Sequence, residues 1–87
     1  MNTNNQTLTK VFVVTYTAQA FQASIHGLLS IHKTHIGAFR RMSKTAQDLI
    51  ELGQFFEMEK IENHIKIVRK SDNSIIELYV EERTLEV

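Results

Sequence analysis

The chain has no cysteine, no proline, no tryptophan and only three glycines in 87 residues. Without a thiol there is no disulfide scaffold, no cysteine nucleophile and no thiolate metal site. Gly27, Gly37 and Gly53 stand far apart, so no glycine-rich phosphate loop is present. The longest apolar run is the four residues Val11-Phe12-Val13-Val14, far short of the roughly 20 that cross a bilayer as a helix. Its opening residues do not form a basic-then-apolar leader, which gives the expectation of a cytoplasmic protein with no membrane partner. One further absence is local: residues 1–47 contain no acid at all.

What is present is enough for one core. Apolar residues make up 43% of the chain, and 32 side chains are large Val, Ile, Leu, Phe, Met or Tyr. That supports a single domain over residues 10–87, preceded by a polar, uncharged lead-in, residues 1–9, expected to be disordered. A domain of this size buries only about 60–65% of its unfolded surface, so a homo-oligomer would relieve a thin stability margin.

Hydropathy patterning orders the elements. Lys10–Thr17 is β-branched and aromatic, apolar on both faces, and reads as a central or doubly covered strand. Ala18–His32 fits both a period of two (Phe21, Ala23, Ile25, Leu29, Ile31) and helical spacing (Phe21, Ile25, Leu28, His32). Its alanines and glutamines, with Thr17 as N-cap, favour a helix. Thr34–Gly53 is helical, with Ile36, Phe39, Met42, Ala46, Leu49 and Ile50 at steps of three and four; Ser43 could restart it as a second helix. Phe55–Glu62 is a connection or short strand. His64–Lys70 and Ile75–Glu81 form a hairpin around the turn residues Ser71–Ser74. With Lys70 paired to Ile75, Ile65 faces Val80, Ile67 faces Leu78 and His64 faces Glu81. The expected fold is α+β: a small single-layer antiparallel sheet of the N-terminal strand plus the C-terminal β-hairpin, with two or three helices packed on one face.

Charge is the one anomaly. Residues 1–47 carry five bases and no acid, and residues 48–87 carry five bases against ten acids, so the two parts hold +5 and −5 within a net charge of zero. On the helix, Arg40, Arg41, Lys44 and Gln47 share the solvent face, opposite Phe39, Met42, Ala46 and Leu49. Bases early and acids late oppose the helix dipole, so stability alone does not favour that order if the helix is unbroken. Lys33, Arg40, Arg41 and Lys44, with neighbouring hydroxyls, resemble the mixture that contacts phosphate backbones. These residues are the candidate site of a non-enzymatic regulatory module binding nucleic acid, another polyanion or an acidic partner. The competing expectation is an inhibitor or adaptor using an acidic face of Glu57, Glu59, Glu62, Glu81 and Glu82. A third is head-to-tail self-association of opposite charges.

No catalytic residue, metal site or cofactor is assigned. His32 and His35 have a spacing that a metal can use, but no acid lies near them in sequence. The order of helices and hairpin also fits a winged helix-turn-helix with Arg69 and Lys70 at the wing. The stretch Val14-Thr15-Tyr16-Thr17-Ala18-Gln19-Ala20-Phe21, running from strand to helix, distantly resembles the RelE/ParE group of small toxins, a likeness of element order over roughly residues 10–81. The resemblance implies a small ribonuclease toxin with basic strands in its second half. Here that half is acidic, with only Lys66, Arg69, Lys70 and Arg83 as candidates, and no catalytic residue is carried over.

Overall fold

A computed structural model describes residues 8–20 and 23–86. The expected disordered lead-in lies, apart from Leu8 and Thr9, outside the described residues. Five strands and one helix follow in the order β1 (Leu8–Ala20), β2 (Ala23–His32), α1 (His35–Glu51), β3 (Phe55–Ile61), β4 (His64–Arg69) and β5 (Ile75–Glu86). The strands form one antiparallel sheet in the order β2-β1-β5-β4-β3. β1 is therefore central, and β2 and β3 are the edges.

This corrects the expected fold in one respect above all. There is a single helix among the described residues, not two or three, and Ala18–His32 is strand. β1 runs on to Ala20, and β2 returns alongside it from Ala23, with Thr17 opposite His26 rather than capping a helix. Residues 21–22, between the two strands in sequence, lie outside the described residues. Helix propensities differ by at most about 0.7 kcal/mol per ordinary residue, a small preference that the ladder to β1 and the packing of Leu29 on the core outweigh. The period-two reading of this stretch was the correct one. A winged helix-turn-helix needs a second helix and is excluded with it. The strand-to-helix junction behind the toxin resemblance is also absent, since the strand continues through Ala18-Gln19-Ala20.

The expected helix over 34–53 is α1, unbroken at Ser43. Thr34 is its N-cap, with Oγ1 accepting from the Gly37 amide at 3.1 Å. Gly53 ends it at φ 86°, the left-handed geometry that glycine adopts without strain. Ala38, Met42 and Ala46, four residues apart, are all buried. They bring the helix down on Val14, Ile65, Ile67, Leu78 and Val80 of the central strands. His35 fixes the helix start: its ring meets Phe12 edge-on at 5.6 Å, stacks on Phe39 and donates from Nε2 to Asn63 Oδ1 at 2.6 Å.

The C-terminal hairpin forms, but two residues out of the expected register. Ile75 pairs with Val68 rather than Lys70, and Ile65 with Leu78. Lys70–Asn73 is a turn held by Asn73 at φ 60°, by the bidentate Arg69–Asp72 contact and by Asp72 accepting the Ser74 amide. Because a strand repeats every two residues, the slip leaves Ile65, Ile67, Leu78 and Val80 buried as expected but changes every cross-strand partner.

Gly27 has a reason of its own. It lies opposite Tyr16, and a Cβ there would stand 2.9 Å from Tyr16 Cε1. The ring covers the bare backbone of an edge strand. Gly27→Ala should therefore destabilise the domain by about 1 kcal/mol in chemical denaturation, despite alanine's usual advantage inside a strand. In a Tyr16→Ala background the same change should be neutral or stabilising, a coupling that a double-mutant cycle reads directly.

Candidate functional site

Helix α1 lies on one face of the sheet, so two surfaces are available: the outer side of the helix and the helix-free face of the sheet. The sequence-predicted basic residues sit on the first. Lys33 is exposed in the link before α1, and Arg40, Arg41 and Lys44 are exposed on the helix itself. Arg40 and Lys44 line a shallow depression of about 410 Å³ with Phe39, Ser43, Gln47, Asp48 and Glu51, while Arg41 and Lys33 lie outside it. Ser43 Oγ is buried there without a hydrogen-bond partner. Lys44 pairs with Asp48 of the same helix at 3.4 Å, with both side chains well exposed, a contact that contributes little. Among the described residues, Lys33, Arg40 and Arg41 have no carboxylate within 4.0 Å. The helix is unbroken and carries no acid in its first turn and no base in its last; Asp48 and Glu51 make its C-terminal end adverse, whereas Arg40, Arg41 and Lys44 lie beyond the first turn.

The proposed acidic face is not gathered together. Glu57 and Glu59 lie on edge strand β3 and Glu62 in the following turn. Glu81 and Glu82 are on β5, two strands away, and as neighbours in one strand they point to opposite faces. Glu82 meets Lys10 at 3.7 Å. Glu81 accepts from Thr15 Oγ1 at 2.9 Å and from Arg83 at 3.2 Å, and these two contacts, Thr15 first, hold its carboxyl below the usual range.

Sequence reasoning missed a polar cluster on the helix-free face. The register slip gives His64 a new neighbour: its ring stacks on Tyr79 at 4.5 Å and 3°, and its Nε2 donates to Glu77 Oε2 at 3.0 Å. The Tyr79 hydroxyl donates to the same oxygen. That bond is the main cause by which Glu77 is held below its ordinary pKa and Tyr79 is pushed up to about 12. The His64–Glu77–Tyr79 group links β4 to β5 through one shared carboxylate oxygen. His64 and Glu81, the pair expected from the sequence, do not face each other.

Beyond the cluster, the same face holds an open groove of about 900 Å³, lined by Val11, Val13, Leu28, Ile31 and Leu85 with Thr15, His26 and Arg83. Of the described period-two residues read in the β2 segment, only Ile31 lines it, because the irregularity at Leu29 exchanges the faces. The two histidines considered for a metal have other partners: His32 Nε2 is bonded to Ser30 Oγ at 2.7 Å, and His35 to Asn63. Among the described residues, no group of three or more His, Cys, Asp or Glu could hold a metal ion. Nor is any described helix long and apolar enough to cross a membrane. No protein family, curated protein or solved structure matches this chain.

The Tyr79–Glu77 bond makes a titration testable. A raised tyrosine pKa means that the fold retains the proton more tightly than the unfolded chain. Its stabilisation is complete below the ordinary value of 10.0 and is lost as pH rises through about 12. Glu77, with its pKa lowered, acts at the other end: its contribution is present above the unfolded carboxylate pKa and is lost as pH falls through the folded one. In a Tyr16→Phe background, where Tyr79 is the only tyrosine, phenolate absorbance should titrate well above a free tyrosine. Glu77→Gln should move the midpoint back down.

Proposed function

We propose that this chain is a non-enzymatic binding module that presents the outer side of α1, with Lys33 at its entry, to a polyanion, nucleic acid in the first place. One observation carries the reading: among the described residues, no acid beyond α1 pairs with a base of the helix, whose one ion pair is Lys44–Asp48 within α1. Asp72 is held by Arg69, Glu77 by His64 and Tyr79, Glu81 by Thr15 and Arg83, and Glu82 by Lys10. The separation of charge along the chain is thus not consumed as internal pairing between α1 and the hairpin. Lys33, Arg40 and Arg41 are left for an outside partner. Arg40 and Arg41 lie beyond the first turn of α1, where the helix dipole neither favours nor strongly opposes them. Phosphate contacts of this kind confer position and affinity with little sequence discrimination. Asp48 and Glu51 confine the contact to the first half of the helix.

Retention on heparin or mixed-sequence DNA should fall steeply with salt. The triple variant Arg40→Ser, Arg41→Ser, Lys44→Ser should lose retention and flatten the logarithmic salt slope by about 2–3, the number of phosphate contacts removed. Its circular dichroism should be unchanged, because all three side chains are exposed. Retention equal to that of the parent chain would eliminate the basic helix as the binding surface.

A further inference from the structure

We propose that β2 is a dimerisation edge, at which a second copy of this chain adds its own β2 antiparallel to the first, joining two five-stranded sheets into one. The inference does not depend on what α1 binds. β2 ends the sheet, so among the described residues one of its backbone edges has no strand partner. Ala23–His26 are four consecutive exposed residues. Ile25 is 61%, Leu28 56% and Ile31 55% exposed, a concentration of large apolar side chains on one uncovered strand. Folded proteins usually guard such an edge with charge, proline or a bulge.

The two edges of this sheet differ in that respect. β3 carries Glu57, Glu59 and Lys60, with a register irregularity between the two glutamates. β2, ASIHGLLSIH, has no Lys, Arg, Asp or Glu and no proline. Its one irregularity, at Leu29, leaves Ala23–Leu28 as a regular, unguarded stretch.

Composition also selects the occupant. A strand laid along this edge brings its side chains against Leu28 on one face and Ile25 on the other, so a charged strand would bury unpaired charge there. β2 of a second copy carries no Lys, Arg, Asp or Glu and is, about a two-fold axis, antiparallel by symmetry. Each free donor then meets an acceptor of the same edge, the self-complementary arrangement of an isologous dimer. No like charges oppose each other across such a junction, whereas a β3–β3 junction would bring glutamates together. The groove bounded by Leu28 and Ile31 in each copy would open beside the junction.

Sedimentation equilibrium of the full chain over a concentration series should show a reversible monomer–dimer equilibrium. The double variant Ile25→Lys, Leu28→Lys should raise the dissociation constant by about tenfold or more. Leu52→Lys, at least as exposed but outside β2, should leave it unchanged. A single thiol gives an independent readout, since the chain has no cysteine. Under mild oxidation, at least one of Ser24→Cys, His26→Cys and Leu28→Cys should form disulfide-linked dimers, and Glu59→Cys on β3 should not. This readout still decides the matter if the double lysine variant fails to fold. A monomer at every concentration, leaving the edge to a strand of another protein, would overturn the proposal. So would a dimer undiminished by the two lysines, or cross-linking on β3 in place of β2.

Discussion

Strand β1 is paired along both edges, with β2 from Phe12 to Ala20 and with β5 from Leu8 to Gln19. Every other element is positioned from that double ladder. Its alternate residues divide the protein into two surfaces: Phe12, Val14 and Tyr16 face the helix, and Val11, Val13 and Thr15 face away from it. β5 carries the same division to β4 and β3. Helix α1 can approach closely because its contact stripe is two alanines and a methionine. Burying Met42 alone contributes about 1.5–3 kcal/mol.

The same ladder separates the charges. Of the C-terminal acids, Asp72, Glu77 and Glu81 each have partners on β1, β4, β5 or the adjoining turn, and Glu82 meets Lys10 on β1. The bases of α1 project from the opposite side of the helix, beyond the reach of those carboxylates. A helix arranged for stability would hold acids early and bases late. This one has no acid in its first turn and closes on Asp48 and Glu51, the adverse charge for a C-terminus.

Some of this was legible in the residues. The β-branched run of β1 and its apolar faces gave a central strand. The spacing of Phe39, Met42, Ala46 and Leu49, with Thr34 before and Gly53 after, gave α1 and its exposed basic side. The turn chemistry of Ser71–Ser74 placed the last hairpin. The β2 segment was not legible in the same way, because its apolar residues satisfy two periods at once and its alanines and glutamines favour the wrong one. The open groove and the unguarded edge were hidden with it. The His64–Glu77–Tyr79 group was missed for a smaller reason, a two-residue slip set by the Arg69–Asp72 turn.

The sequence by itself determined the buried face of the last hairpin, Ile65, Ile67, Leu78 and Val80, because the free energy of removing an apolar side chain from water belongs to that side chain and repeats with the local period; it did not determine that Ile25, Leu28, Ile31 and Ile36 stay exposed. It also determined the charge imbalance along the chain. Only the tertiary structure decided that Ala18–His32 is strand, which carboxylate each base meets, and which edge of the sheet is left without a partner. Those outcomes depend on pairing between segments far apart in the chain. There a shift of two residues preserves every buried face and exchanges every neighbour.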